Sequence, residues 1–169
     1  DMVTIHPGLV LGPALTSASD SASLATMKQF TDGTMLTGAP ALTMGVVDVR
    51  DVADAHVLAG FTPEAHDRYL VNADSLSLLE IGKILRGKFG SLYPFPWTKV
   101  PKVAVKVVAP AIGLTREFVD TNVGYPIAFD ASRSQRELGL TYRPVADTIT
   151  DHFQQMLDDG LVPRRPKLL

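Results

Sequence analysis

Cysteine is absent from this chain, which removes disulfides and thiolate chemistry and fits a reducing compartment. Long hydrophobic runs are missing too. The nearest approach, VAVKVVAPAIGL (103–114), is too short to span a bilayer and is interrupted by Lys106 and Pro110. Neither sign of charge is in excess. Sixteen Lys and Arg stand against 18 Asp and Glu, for a formal net charge of −2, so the electrostatic footprint of a nucleic-acid or anionic-membrane binder is lacking. No positively charged segment followed by an apolar stretch opens the chain, so no secretory signal is expected in it and the cytoplasm is the expected compartment.

Two further absences concern chemistry. None of the 13 glycines falls in a G-x-G-x-x-G or G-x-x-G-x-x-G arrangement, so a glycine-rich turn for a dinucleotide pyrophosphate is not present. His6, His56, His66 and His152 show no metal-ligand spacing with one another or with acidic pairs, and no metal site is expected. Internal repeats and low-complexity segments are also missing.

What is there is a chain of 169 residues, 46% hydrophobic and 20% charged, enough for one domain with a proper core. MVTI (2–5), GVVDV (45–49), RYLVNA (68–73) and PIAF (126–129) read as strands. Between them, Leu24, Met27 and Phe30 recur at helical spacing over 24–32 behind Ser21 or Ser23. DVADAHVLAGF (51–61) reads as a helix with Asp51 at its N-cap. Ser77-x-x-Glu80 is a capping box for a helix with Leu78, Ile81, Leu85 and Phe89 on one face. Helical material from 102 to 121 follows a proline-stiffened loop (91–101). A small helix capped by Asp130 or Ser132 stops at Gly139. The last helix begins at Pro144 and carries Val145, Ile149, Phe153, Met156 and Leu157 as a stripe. Alternation of strand and helix predicts an α/β fold with parallel pairing, MVTI beside RYLVNA in one sheet.

Five stretches in a fixed order carry a resemblance: TIHPGLVLGPAL, VVDVRDVADAHVLA, RYLVNADSLSLLEIGKIL, FDASRSQRELGLTYRP and TITDHFQQMLDDGLVP. In order and spacing they resemble the C-terminal half of the extended short-chain dehydrogenase/reductases, and within them the dihydroflavonol-reductase-like aldehyde and ketone reductases. The resemblance implies the C-terminal part of a Rossmann-type doubly wound parallel sheet with a small mixed α/β substrate-binding region, so residues 1–169 form a single partial domain. It implies NADP(H) as cofactor, with NAD as the alternative, and a small carbonyl or alcohol substrate. It places the nicotinamide against the backbone around Pro7, Gly8, Leu9 and Val10, and a serine, Ser23, near the pyrophosphate. A strand-to-loop turn and an unliganded N-cap are the plain alternatives for those two stretches. The family's Tyr-x-x-x-Lys pair is not in this chain: Tyr69, Tyr93, Tyr125 and Tyr142 are followed four residues later by Ala73, Trp97, Phe129 and Ala146. Catalytic residues are therefore expected in the preceding half, as a chain that starts mid-protein at Asp1 implies.

The acidic stretch VDVRDVADAH looks catalytic but reads as structural, with a substrate contact as the secondary reading. LYPFPWTKVP (92–101) reads as packing or as an aromatic substrate wall, and RRPK (164–167) as a solvated tail. Two other functions remain open beside the reductase: a non-catalytic binding or regulatory relative, and a nucleotide-sugar epimerase or dehydratase. Leu9, Val10 and Leu11 stand where those epimerases usually carry an Asn and an aromatic residue, which favours the reductase. A half-domain leaves a sheet edge unpaired and an apolar face uncovered, so the chain alone is predicted to self-associate or to pair with its missing half. Light scattering that shows a stable monodisperse monomer would contradict this.

Overall fold

The computed structural model describes residues 2–15, 21–112 and 114–164. Asp1 and most of the RRPK tail lie outside them. Arg164, the first residue of that tail, pairs with Asp158 at 2.5 Å.

In chain order the first half comprises β1 (Val3–Pro7), β2 (Leu9–Leu11), α1 (Ala22–Lys28), β3 (Ala39–Pro40), β4 (Thr43–Asp48), α2 (Val49–Phe61), β5 (Asp67–Val71) and β6 (Asp74–Ser77). The second half comprises α3 (Leu78–Phe89), β7 (Lys99–Val100), α4 (Lys102–Val108), α5 (Arg116–Asn122), α6 (Ser132–Leu138) and α7 (Val145–Asp158). β1 and β5 pair in parallel, from Val3 opposite Asp67 to Pro7 opposite Val71, as the two apolar runs predict. β2 pairs in parallel with β4, and β4 pairs antiparallel with β6. The result is the α/β architecture expected from the strand–helix alternation.

Gly8 is where the first strand changes partner. Its own N–H still donates to Val71 O at 3.1 Å, while Ala73 N–H already donates to Val46 O at 2.9 Å. Three backbones converge there. A side-chain carbon on Gly8 would lie 2.7 Å from both Asn72 Oδ1 and Gly45 O, and one on Gly45 would lie 2.8 Å from the Phe129 ring and closer still to Asn72 Oδ1. Asn72 is buried; its Nδ2 donates to Asp74 O at 3.1 Å, and its Oδ1 has no conventional donor among the described residues. That oxygen lies in the direction of the missing side chains of both Gly8 and Gly45, so only glycine fits at either position.

The core gathers around α7 and α3. Phe153 of α7 meets Phe89, Tyr93 and Phe95 at ring-centroid separations of 4.7, 5.2 and 5.4 Å. The stripe read from the sequence is therefore the core face, with Ile149, Phe153 and Met156 fully buried. The capping box Ser77–Glu80 forms as expected, and Gly139 stops α6 at φ +67°.

Other boundaries differ. α2 starts two residues earlier than expected because Asp48, not Asp51, is its N-cap: Asp48 Oδ1 accepts Arg50 N–H at 2.8 Å. The material expected as one helix over 102–121 is broken where Pro110 removes a donor, into α4, a 3-10 turn (Ala109–Ile112) and α5, the last capped by Thr115. PIAF (126–129) is not a strand; Pro126 lacks an N–H, and the segment joins no sheet among the described residues. At α6 neither candidate is the N-cap, which falls on Ala131, although Asp130 Oδ1 accepts Ser132 N–H at 2.9 Å. α1 ends at Lys28, short of the expected 32.

The glycine junction makes a stability prediction. Gly45→Ala forces a methyl group into Asn72 and Phe129 and is expected to destabilise the fold by about 1–3 kcal/mol. Gly87→Ala, in the last turn of α3 with nothing within 4 Å of the added carbon, is expected to stabilise it by about 0.5 kcal/mol. Urea unfolding of the two variants beside the unsubstituted protein checks the pair, and equal midpoints would refute it.

Candidate cofactor and substrate site

Pro7 ends β1 and is exposed; Gly8 is enclosed by the junction; Leu9 and Val10 are half-buried in β2. Leu9 packs against the main core and Val10 against a second cluster around Val47 and Val71, on opposite faces of the strand. Leu9 and Val10 thus commit their side chains to packing, while Pro7 presents its ring outward at the carboxyl end of a parallel strand pair. α/β folds seat ligands at that end. Gly8 lacks a side chain because Asn72 and Gly45 fill the space, a requirement the fold alone imposes. α1 packs on β2. Its N-cap is Ser21, whose hydroxyl accepts Leu24 N–H at 3.1 Å, and Ser23 lies half-buried in the first turn.

The loop after β2 is held by α7. Gly12 N–H donates to His152 Nδ1 at 3.1 Å, Gln155 Oε1 accepts Ala14 N–H at 2.6 Å, and Gln155 Nε2 donates to Ala14 O at 2.6 Å. Sequence reasoning missed His152 and Gln155. The available signal was two polar residues beside an otherwise apolar stripe. Because Nδ1 accepts, neutral His152 carries its proton on Nε2. Burial holds the imidazole below its ordinary value of 6.5, since a charged ring would lose its hydration there.

Asp48 sits under the same loop. It is 1% exposed, and a side-chain carbon on Gly12, which has φ +111°, would lie 3.1 Å from its Oδ1. Its carboxylate accepts from Arg50 Nε and Nη2 at 2.8 and 2.7 Å and from Thr148 Oγ1 at 2.8 Å. Burial alone would raise its pKa; the hydrogen bonds from Arg50 and Thr148 and the guanidinium charge outweigh it and hold the group below 3.8. Arg50 continues to Asp151 at 3.1 Å. Asp51, fully buried, takes the backbone N–H of Arg143 at 3.0 Å and its guanidinium. The acidic stretch is bracing between α2 and α7, as its structural reading expects.

Three of the four tyrosine hydroxyls are hydrogen-bonded within the fold, and the fourth tyrosine, Tyr125, is exposed. Tyr69 donates to Glu137 at 2.9 Å, Tyr93 to Pro163 O at 3.2 Å, Tyr142 bonds Ser134 at 2.8 Å, and Lys102 Nζ lies 4.6 Å from the Tyr125 ring centre. In the 92–101 segment Tyr93 and Phe95 are buried against Phe153, whereas Trp97 is exposed. Packing prevails for the first two.

The cleft of interest lies elsewhere. A cavity of about 690 Å³ opens between the turn after α1, β4, α4 and α5. Its floor is apolar, with Met35, Leu42, Met44, Val105, Leu114 and Phe118; its rim carries Gln29, Asp32, Thr34 and Thr37. No single stretch of sequence announces it. β4 connects it to the glycine junction, since Met44 lines the cleft and the next residue, Gly45, meets Gly8. Among the described residues no group of three or more His, Asp or Glu could hold a metal ion. No helix among them is long and apolar enough to cross a membrane.

No protein-family model matches the chain. It is 32% identical over 163 residues to cinnamoyl-CoA reductase 2 of Arabidopsis thaliana, across 96% of this chain and 43% of that protein. It is 31% identical over 167 residues to ketoreductase azaE of Aspergillus niger, across 95% and 44% of the two. Yeast methylglyoxal/isovaleraldehyde reductase Gre2, crystallised as a complex with NADPH, shares 21% identity and a TM-score of 0.61, across 92% of this chain and 43% of that one. The chain spans less than half the length of these relatives. The parallel β1–β5 pair and its flanking helices are the fold of Rossmann-type reductases. With identity sustained along nearly its whole length, the chain belongs to the extended short-chain dehydrogenase/reductases.

The two buried ionisable groups under the loop predict an acid profile. His152 is depressed in the folded state, so below 6.5 the unfolded chain takes up a proton that the native one refuses, and stability falls with falling pH until the folded value is reached. Asp48 is also depressed. Its contribution is present above 3.8 and is lost as pH falls through its lower folded value. Urea unfolding from about pH 8 to about pH 5 should show the first loss, and His152→Asn, which keeps an acceptor for Gly12, should flatten that slope. An unchanged slope would refute the assignment.

Proposed function

We propose that this chain is the C-terminal part of an NADP(H)-dependent reductase of aldehydes, ketones or related alcohols. In this reading residues 1–169 are one partial domain that supplies the nicotinamide-side wall and part of the substrate pocket. The observation that carries it is the end of the parallel strand pair: an exposed Pro7 at the carboxyl edge, joined through β4 to a large apolar cleft. The reductase names of its relatives support the same reading, as does the NADPH complex of Gre2.

NADPH, when bound, supplies the hydride that reduces the carbonyl carbon. The residues of this chain fit one wall of such a site. Pro7 fixes φ and offers a rigid apolar surface to a flat ring. Gly8, Leu9 and Val10 hold the backbone behind it, and His152 and Gln155 fix the loop beyond it. Ser23 stands in the first turn of α1, where a phosphate would find backbone N–H groups. The apolar floor excludes water from the substrate carbonyl. A pyrophosphate cradle and a proton donor belong, in this proposal, to the preceding half of the parent polypeptide, which would also pair with this chain. The proposed compartment is the cytoplasm, consistent with the absence of cysteine.

The test follows NADPH absorbance with aldehydes and ketones, using this chain and the parent protein side by side. Turnover is expected from the parent only. Turnover by the isolated chain would overturn the division of labour, and an inert parent would favour a non-catalytic relative. In the parent, Pro7→Ala removes two ring carbons from the wall and is expected to raise KM for NADPH about threefold, at ~0.3 kcal/mol per atom. Gly8 is unsuited to this test, because any side chain there disrupts the sheet junction first.

A further inference from the structure

The cleft carries an uneven charge. Among the described residues no Lys, Arg or His lines it, and Asp32 is the one formally charged residue in its wall. Asp32 is exposed at the rim, where its Oδ1 accepts Thr34 N–H at 2.8 Å in the turn that Gly33 makes at φ +92°. The lysines of α4, whose apolar residues line the opposite wall, are engaged away from the cleft. Lys106 Nζ lies 2.5 Å from Asp120 Oδ2, and Lys102 Nζ donates to Asp120 O at 2.8 Å. An anion entering this space would lose hydration, find no cation, and pass a carboxylate on the way in.

We infer that Asp32 is a specificity-determining residue of this cleft, admitting uncharged carbonyl compounds and turning away those that bear a carboxylate or phosphate. The inference rests on the reductase reading for the identity of the ligand as a carbonyl compound; the charge selection itself rests on the cleft. Apolar contact with Met35, Met44, Val105 and Phe118 supplies affinity, and Asp32 supplies discrimination by repulsion, which acts on the unwanted ligand.

The experiment uses the parent protein and two matched probes, benzaldehyde and its para-carboxylate derivative, formylbenzoate. It reads turnover by NADPH absorbance and binding by ligand-observed NMR. The unsubstituted protein is expected to favour benzaldehyde in both readouts. Asp32→Asn should raise the catalytic efficiency with formylbenzoate, relative to that with benzaldehyde, by roughly threefold to tenfold, and Asp32→Lys should move it further the same way. Added salt should shrink the difference between variants. Asp159→Asn, which removes the same charge at the C-cap of α7 and outside the cleft, should leave the ratio in place. A ratio unmoved by Asp32→Asn, or moved equally by Asp159→Asn, overturns the inference. So does equal binding of both probes, or binding of neither. Selective binding of benzaldehyde without turnover, abolished in Asp32→Lys, would uphold charge selection while removing the reductase reading.

Discussion

The close approach of three backbone segments at Gly8, Gly45 and Asn72 is the constraint on which the rest of this molecule depends. Before it, the first strand belongs to a parallel pair with β5; after it, the same strand belongs to β4. That exchange is possible only because two of the three residues lack side chains and the third fills the vacated space with a buried amide. A sheet that continued straight would have no fork, and β4 could not run from the junction to the wall of the cleft. The buried Asn72 oxygen, without a hydrogen-bond donor among the described residues, is the cost of the arrangement.

Helix α7 does a second job besides filling the core. Its apolar face packs on α3 and the aromatic segment, while His152, Gln155, Thr148 and Asp151 reach the loop after β2 and the start of α2. One helix near the end of the described chain therefore sets the position of a loop near its beginning. The Arg50–Asp48 and Arg143–Asp51 pairs that accompany it are buried on one side only: the carboxylates are sequestered and their arginine partners are partly exposed. Removing an arginine would leave a buried carboxylate uncompensated, and this asymmetry makes the network a positional device more than a source of net stability.

The site that emerges is divided by chemistry. The strand end offers a rigid, exposed proline and a backbone held from behind; the cleft offers apolar volume with one carboxylate at its lip. Three of the four tyrosine hydroxyls are hydrogen-bonded within the fold, whereas Tyr125 is exposed and has Lys102 against its ring.

Local pattern was enough to identify the elements that have a strong period or a side-chain cap. The stripe of α7, the capping box of α3, the stop at Gly139 and the parallel pairing of the two β-branched runs all follow from spacing and turn chemistry visible in a few residues. The ordered motifs likewise disclosed the family without coordinates. Tertiary structure alone decided which of two nearby carboxylates caps α2. Asp51 lost that role to Asp48 because Arg143, 92 positions away, claims it. It also decided that PIAF has no strand to join, that Tyr93 and Phe95 face inward while Trp97 does not, and that His152 and Gln155 meet residues 140 positions earlier or more. The cleft and the carboxylate at its lip belong to the same class, assembled from β4, α4, α5 and the turn after α1. Periodicity reports which face of an element is apolar, but the partner that covers it, and the space left uncovered, are set by contacts between residues that share no local sequence.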